Sequence, residues 1–142
     1  MVNILSPNAI RLNAQAACKE DAIRLAGELL VNAGCVMPEY VAGMLARETT
    51  MSTYLGCGVS IPHGEYENYQ HILKNGISIV QFRNGVVWEE EEKAYLVIGI
   101  AASSDEHVGV LSRLAEVIEE ESIIHTMIHT DDPLEIIGFL SE

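Results

Sequence analysis

His63 is the first residue whose type and setting suggest chemistry. It stands in Gly56-Cys57-Gly58-Val59-Ser60-Ile61-Pro62-His63-Gly64. An imidazole with a reference pKa of about 6.5 can act as nucleophile, base or acid near neutral pH. Pro62 fixes its own φ and drives Ile61 into an extended conformation, and Gly64 admits a sharp turn or a close approach. The stretch therefore reads as a short strand, Val59 to Ile61, ending in a stiff turn that carries His63 beyond it. The same residues also make an ordinary turn. A second histidine, His107, follows the apolar run Tyr95 to Ala102 and falls in the first turn of the next helix. If the two strands are neighbours, both imidazoles converge where open α/β sheets collect ligands, beyond the strand ends.

Two histidines at one cleft support three chemistries. The first is phosphoryl transfer. It needs one ring nitrogen free to attack, the other held by an acceptor, and donors around the equatorial oxygens. His107, Arg47, the backbone amides around Gly64 and the Ser60 hydroxyl are the candidate donors. The second is a metal site. The only local ligand spacing is His125 to His129, an i, i+4 pair without the glutamate of H-E-x-x-H, so no metal site is expected. The third is hydrolysis by histidine and a carboxylate, but Ser60 does not lie in G-x-S-x-G. Gly56-Cys57-Gly58 is too short for a dinucleotide fingerprint, and there is no G-x-x-x-x-G-K-[ST]. A nucleotide-dependent kinase is therefore disfavoured. His71, His125 and His129 lack glycine–proline framing and read as structural.

The elements that must position these residues follow from periodicity. Ile10 to Asn13 is an extended piece. A helix runs from about Glu20 to Asn32, with Ala22, Ile23, Ala26, Leu29 and Leu30 on one face and Gly34 at its C-terminal cap. Pro38 opens a second helix that buries Tyr40, Val41, Met44 and Leu45 and carries Arg47 and Glu48 near its end. Glu65 to Gln70 reads as a polar loop. Ile77 to Phe82 is a strand, Asn84-Gly85 a hairpin turn, and Val86 to Trp88 a short return strand. Glu89 to Glu92 is a solvated acidic loop. Tyr95 to Ala102 is a central strand covered on both faces. Three helical stretches follow, and the last opens on Asp132-Pro133-Leu134-Glu135, a helix-start pattern with Asp132 as N-cap and Glu135 in the capping-box position. The architecture is α/β: a single domain, with a mixed β-sheet flanked by helices on both faces.

Bulk properties remove other classes. The chain has 142 residues, 49% of them hydrophobic, which suits one domain with a sizeable core. Its 21 acidic against 8 basic residues give a net charge of −13. That argues against nucleic acid and against an anionic membrane surface, and it suits docking on basic patches of partner proteins. No apolar run is long enough to span a bilayer, and the N-terminus lacks the pattern of a signal peptide. Cys18, Cys35 and Cys57 are odd in number and form no C-x-x-C pair, so a reducing, cytoplasmic location is expected.

Four stretches together are specific. Met44-Leu45-Ala46-Arg47-Glu48, Tyr54-Leu55-Gly56, Ile61-Pro62-His63-Gly64, and Leu96 to Ala102 followed by Glu106-His107-Val108 resemble the IIA component of the phosphoenolpyruvate-dependent sugar phosphotransferase system, in the mannitol class of its mannitol/fructose family. The resemblance covers residues 1–142 as one EIIA type 2 domain. It implies a mixed sheet flanked by helices and a phosphotransferase component that uses no metal or other cofactor. By matching position, His63 is the phosphoacceptor, taking a phosphoryl group from the phosphohistidine of HPr. It then passes the group to a cysteine on the IIB domain of a mannitol-type permease. His107 matches the histidine that contacts the phosphoryl group, Arg47 an arginine that offsets its charge, and Ser60 and Gly64 lie in support. A regulatory IIA-like protein of the nitrogen-related branch is the alternative. Two departures stand out. Glu65 follows the Pro-His-Gly turn, where relatives often carry a small or hydroxylated residue. The chain also stands alone, so it is expected to meet its IIB partner by diffusion.

Overall fold

The computed structural model describes residues 5, 7–90, 92–102 and 112–140. Among the described residues five strands form one sheet: β1 (Ile10–Arg11), β2 (Tyr54–Gly56), β3 (Val59–Ser60), β4 (Gly76–Glu89) and β5 (Glu92–Ala101), in the order β1-β4-β5-β3-β2. The β1–β4 and β3–β5 pairs are parallel, and β4–β5 and β2–β3 are antiparallel, so the sheet is mixed. The expected central strand is β5, with a neighbour on each edge. Among the described residues the α-helices are α1 (Lys19–Asn32), α2 (Glu39–Thr50), α3 (residues 112–118), α4 (Glu121–His129) and α5 (Pro133–Leu140).

Strand periodicity sorts the core into two layers. On one face, Val80, Phe82, Val97 and Ala101 pack with Ala22, Ile23, Ala26 and Leu30 of α1 and with Tyr40 and Met44 of α2. On the other, Ile77, Ile79, Leu96, Ile98 and Ile100 pack with Leu114 and Val117 of α3, Ile124 and Met127 of α4, and Ile136 and Leu140 of α5. α1 ends as expected at Gly34, which takes φ +80. Asp132 caps α5 by accepting from the Leu134 amide at 3.0 Å, whereas Glu135 turns back to accept from the Thr130 hydroxyl instead of closing the capping box on Asp132.

Three local readings differ from the structure. Asn84-Gly85 is not a hairpin turn. A type I′ turn needs positive φ at both positions and a type II′ turn at the first, whereas only Gly85, the second, has it, at +79. The pair lies within β4, in a bulge where the residues from Phe82 to Gly85 face Tyr95 alone between the Gln81↔Leu96 and Val86↔Ala94 pairs. The hairpin instead turns within the acidic run, where Glu89 pairs with Glu92 and Glu90 takes φ +53. The second difference lies at Gly56 to Gly58, where β2 and β3 form an unexpected hairpin. Its turn is Cys57-Gly58, with φ +57 and +78, and β3 ends at Ser60. Third, the expected loop from Glu65 to Gln70 is a 3-10 helix, Tyr66–His71.

Candidate active site

The site grows from the parallel pairing of β3 with β5, Val59 opposite Leu96 and Ser60 opposite Val97. The ladder outlasts β3: the Ile100 amide donates to Pro62 O at 2.9 Å, and His63 forms an isolated parallel bridge with Ile100. Pro62 cannot donate a main-chain hydrogen bond, so the ladder must change partners there. His63 therefore stands at the carboxyl end of the central parallel pair, half-buried. Its Nδ1 lies 2.8 Å from Ile61 O. A carbonyl only accepts, so Nδ1 carries the hydrogen, and the neutral ring keeps its lone pair on Nε2.

Tyr40, which the sequence reading placed only in the core, holds the turn. Its side chain is 1% exposed, and its hydroxyl donates to Ile100 O at 2.8 Å while accepting from the Gly64 amide at 2.9 Å. The hydroxyl thus bridges the two chains where the ladder opens. Burial pushes the Tyr40 pKa up to about 12, against the lowering effect of the Gly64 hydrogen bond. Tyr40 therefore remains a donor throughout the neutral range. Gly64 is required for contact: a Cβ there would come within 2.7 Å of the Tyr40 ring and 3.1 Å of Asn68 Cβ. Asn68 Oδ1 accepts the Glu65 amide at 2.8 Å and packs against Gly43 of α2, where a Cβ would meet it at 2.1 Å. The amides of Gly64 and Glu65, expected as open phosphate donors, are thus already engaged within the protein. The support that Gly64 gives is room for Tyr40. Glu65 starts the 3-10 helix behind the turn.

The other named residues divide clearly. Arg47 lies in the last turn of α2, where its guanidinium donates to Met51 O at 2.5 Å. Ser60 is fully buried on β3, and among the described residues its hydroxyl has no hydrogen-bond partner. That interior position suits it to the strand leading into Pro62, not to reaching a group that arrives from solvent. His107 lies outside the described residues. His125 and His129 stack with ring centroids 4.4 Å apart, and His129 Nδ1 is 2.8 Å from His125 O. Among the described residues, no three His, Cys, Asp or Glu side chains are grouped to hold a metal ion.

A second anchor lies beside Arg47. Glu48 is buried, and its carboxylate accepts the Thr53 amide at 3.1 Å, the Thr53 hydroxyl at 2.6 Å and Trp88 Nε1 at 3.0 Å, with Lys19 Nζ at 3.5 Å. Burial alone would raise its pKa. The hydrogen bonds from Thr53, Ser52 and Trp88 outweigh burial and hold it below the ordinary value. The carboxylate ties the end of α2 to β4 and to the segment entering β2. A glutamate followed by threonine five residues later has no recognised sequence signature, which is why the anchor was missed.

Fold and site together describe an α/β protein with a tautomer-fixed histidine at a strand end, and comparison with known proteins places it. Residues 3–142 match the family model described as phosphoenolpyruvate-dependent sugar phosphotransferase system, EIIA 2, and the chain belongs to that family. It is 40% identical over 139 residues to the mannitol-specific phosphotransferase enzyme IIA component of Halalkalibacterium halodurans, covering 98% of this chain and 95% of that one. It is 42% identical over 137 residues to a multiphosphoryl transfer protein of Xanthomonas campestris pv. campestris, covering 96% of this chain but only 16% of that one. The crystal structure of IIA mannitol from Escherichia coli superimposes with a TM-score of 0.89 at 43% identity, covering 96% of this chain and 98% of that one. The same TM-score and identity relate this chain to IIA in a complex of enzyme IIAMTL and phosphorylated enzyme IIBMTL from Escherichia coli, covering 95% of each.

Proposed function

We propose that this chain is a phosphocarrier of a mannitol-type sugar phosphotransferase system, with residues 1–142 forming one EIIA type 2 domain. The observation that carries the reading is the bond from His63 Nδ1–H to Ile61 O at 2.8 Å, which directs the ring's lone pair to Nε2. In the first step, Nε2 attacks the phosphorus of phosphohistidine on HPr. The new N–P bond forms as the old one breaks, and the leaving imidazole of HPr keeps the electron pair. In the second step, a cysteine thiolate of the IIB domain attacks the same phosphorus and His63 leaves as neutral imidazole. Catalysis is positioning and charge stabilisation. Arg47 supplies positive charge through guanidinium hydrogens not used on Met51 O. His107 is assigned the phosphate-contacting role by resemblance. Ser60 and Gly64 shape the approach to the turn. No metal or other cofactor takes part.

HPr as donor and a mannitol-type IIB domain as acceptor fit the Halalkalibacterium relative and the Escherichia coli complex with phosphorylated IIBMTL. These mannitol-specific likenesses favour sugar transport over the regulatory, nitrogen-related reading. Among the described residues no helix is long and apolar enough to cross a membrane. Together with three free cysteines, this supports action in the cytoplasm.

The test is incubation with phosphoenolpyruvate, enzyme I and HPr. The expected product is one acid-labile phosphoryl group on His63, absent from His63→Ala. Equal labelling of the two proteins would remove His63 from the acceptor role.

A further inference from the structure

We infer that Tyr40 is a positioning residue for phosphoryl transfer, setting the attack angle of His63 through the main chain of the turn and not through contact with the phosphoryl group. The inference rests on His63 being the phosphoacceptor. Its own support is geometric. The hydroxyl makes two buried bonds to the ends of the turn: it accepts the Gly64 amide, one residue past His63, and donates to the carbonyl of Ile100, the residue bridged to His63. A main-chain bond in that place would need the two chains to draw together. The inserted hydroxyl holds them apart by a fixed amount.

The same helix completes the clamp. Tyr40, Gly43 and Arg47 recur at i, i+3 and i+7, so they lie along one stripe of α2. Tyr40 grips Gly64, and Gly43 gives room to Asn68, whose side chain takes the Glu65 amide. Arg47 stands at the helix end, fixed there by Met51 O. α2 is therefore a rigid gauge, setting the nucleophile through Tyr40 and the cation about two turns further along. A near-attack geometry is sensitive on this scale, since a displacement of about 1 Å can cost roughly a hundredfold in rate.

Tyr40→Phe keeps the buried ring and removes only the hydroxyl. Single-turnover transfer from phospho-HPr is expected to slow about tenfold to a hundredfold with an unchanged KM. The 15N resonances of His63 should move from the Nδ1–H tautomer toward a mixture of the two. An unchanged rate, or a slower rate with an unchanged tautomer, overturns the inference. A rise in KM alone also does, because it would place Tyr40 in partner docking. If Tyr40→Phe does not fold, Gly64→Ala decides. It retains the hydroxyl but drives a Cβ against the Tyr40 ring, and the same split between kcat and KM is expected. His63→Ala, run in parallel, separates the two claims. Phosphorylation of that variant would defeat the phosphocarrier reading whatever Tyr40 does. A correctly labelled wild type beside a fully active Tyr40→Phe would defeat only the inference about Tyr40.

Discussion

At the scale of single residues, Glu48 is the group whose chemistry reaches furthest from the reacting atoms. Donors from Thr53, Ser52, Trp88 and Lys19 surround this buried carboxylate and favour its charged form. Its pKa is held below the ordinary 4.5 by the Thr53, Ser52 and Trp88 hydrogen bonds, which overcome burial. A depressed carboxyl contributes its full stabilisation above the unfolded value and loses it as pH falls through the folded one. Glu48 should therefore stabilise the fold fully at neutral pH and progressively less below about pH 4.5. Glu48→Gln replaces one carboxylate oxygen with an amide, which meets either Thr53 or Trp88 donor to donor. A loss of roughly 1.5–3 kcal/mol is expected in urea melts at pH 7, the scale of a hydrogen bond to a charged group. The variant should also lose less further stability than wild type between pH 5 and pH 3.5. Parallel acid limbs in the two proteins would show that Glu48 does not carry this dependence.

At the scale of elements, what was legible in the sequence follows the kind of signal available. Helix periodicity located α1 and α2, and the unbroken apolar run Tyr95 to Ala102 located β5 at the centre of the sheet. The adjacency of β3 and β5, on which the placing of His63 depends, stood in the sequence only as a condition, because nothing in either strand names its neighbour; the pairing of Val59 with Leu96 supplies it. Tertiary hydrogen bonds were invisible. Tyr40 read as core because its ring is core, and nothing in its spacing declares that its hydroxyl spans Gly64 and Ile100. The β2–β3 hairpin was missed because its primed turn is Cys57-Gly58, and cysteine seldom takes φ +57. Asn84-Gly85 misled in the opposite direction, since a favoured turn pair was used for a bulge. That bulge makes its own prediction. Gly85 has φ +79, and a Cβ would come within 2.9 Å of both Lys93 Cδ and Tyr95 Cε1. Gly85→Ala should cost at least about 1–2 kcal/mol, the left-handed penalty for an L-residue, because Lys93 Cδ can swing aside but the Tyr95 ring must shift as well. The bulge faces Tyr95, five residues along β5 from Ile100, about 16 Å at strand rise. Phosphorylation of His63 should therefore be unchanged while the thermal midpoint falls. A loss of labelling in the folded variant would mean that the bulge reaches the site.

At the scale of the whole molecule, the charge of −13 raises the question of how partners tell the loaded carrier from the empty one. A phosphoryl group adds roughly −1.5 to −2. That is a small fraction of the charge already present, so the long-range field is nearly the same in both states. Steering can speed the meeting with a basic partner face, but it cannot sort the two states. On the proposed assignment, sorting occurs within a few ångströms of His63, where positive charge from Arg47 would meet the phosphoryl group with little screening. The two effects separate by salt. Transfer from phospho-HPr, measured by rapid mixing, should slow at least about tenfold between low and high ionic strength, because attraction over more than a Debye length of about 10 Å is screened. Arg47→Gln should lower transfer about 10²–10³-fold, the scale of one lost charge-stabilising donor, and by nearly the same factor at every salt concentration. A wild-type rate indifferent to salt would remove electrostatic steering. A variant whose defect vanishes at high salt would make Arg47 part of the steering field and not of the site.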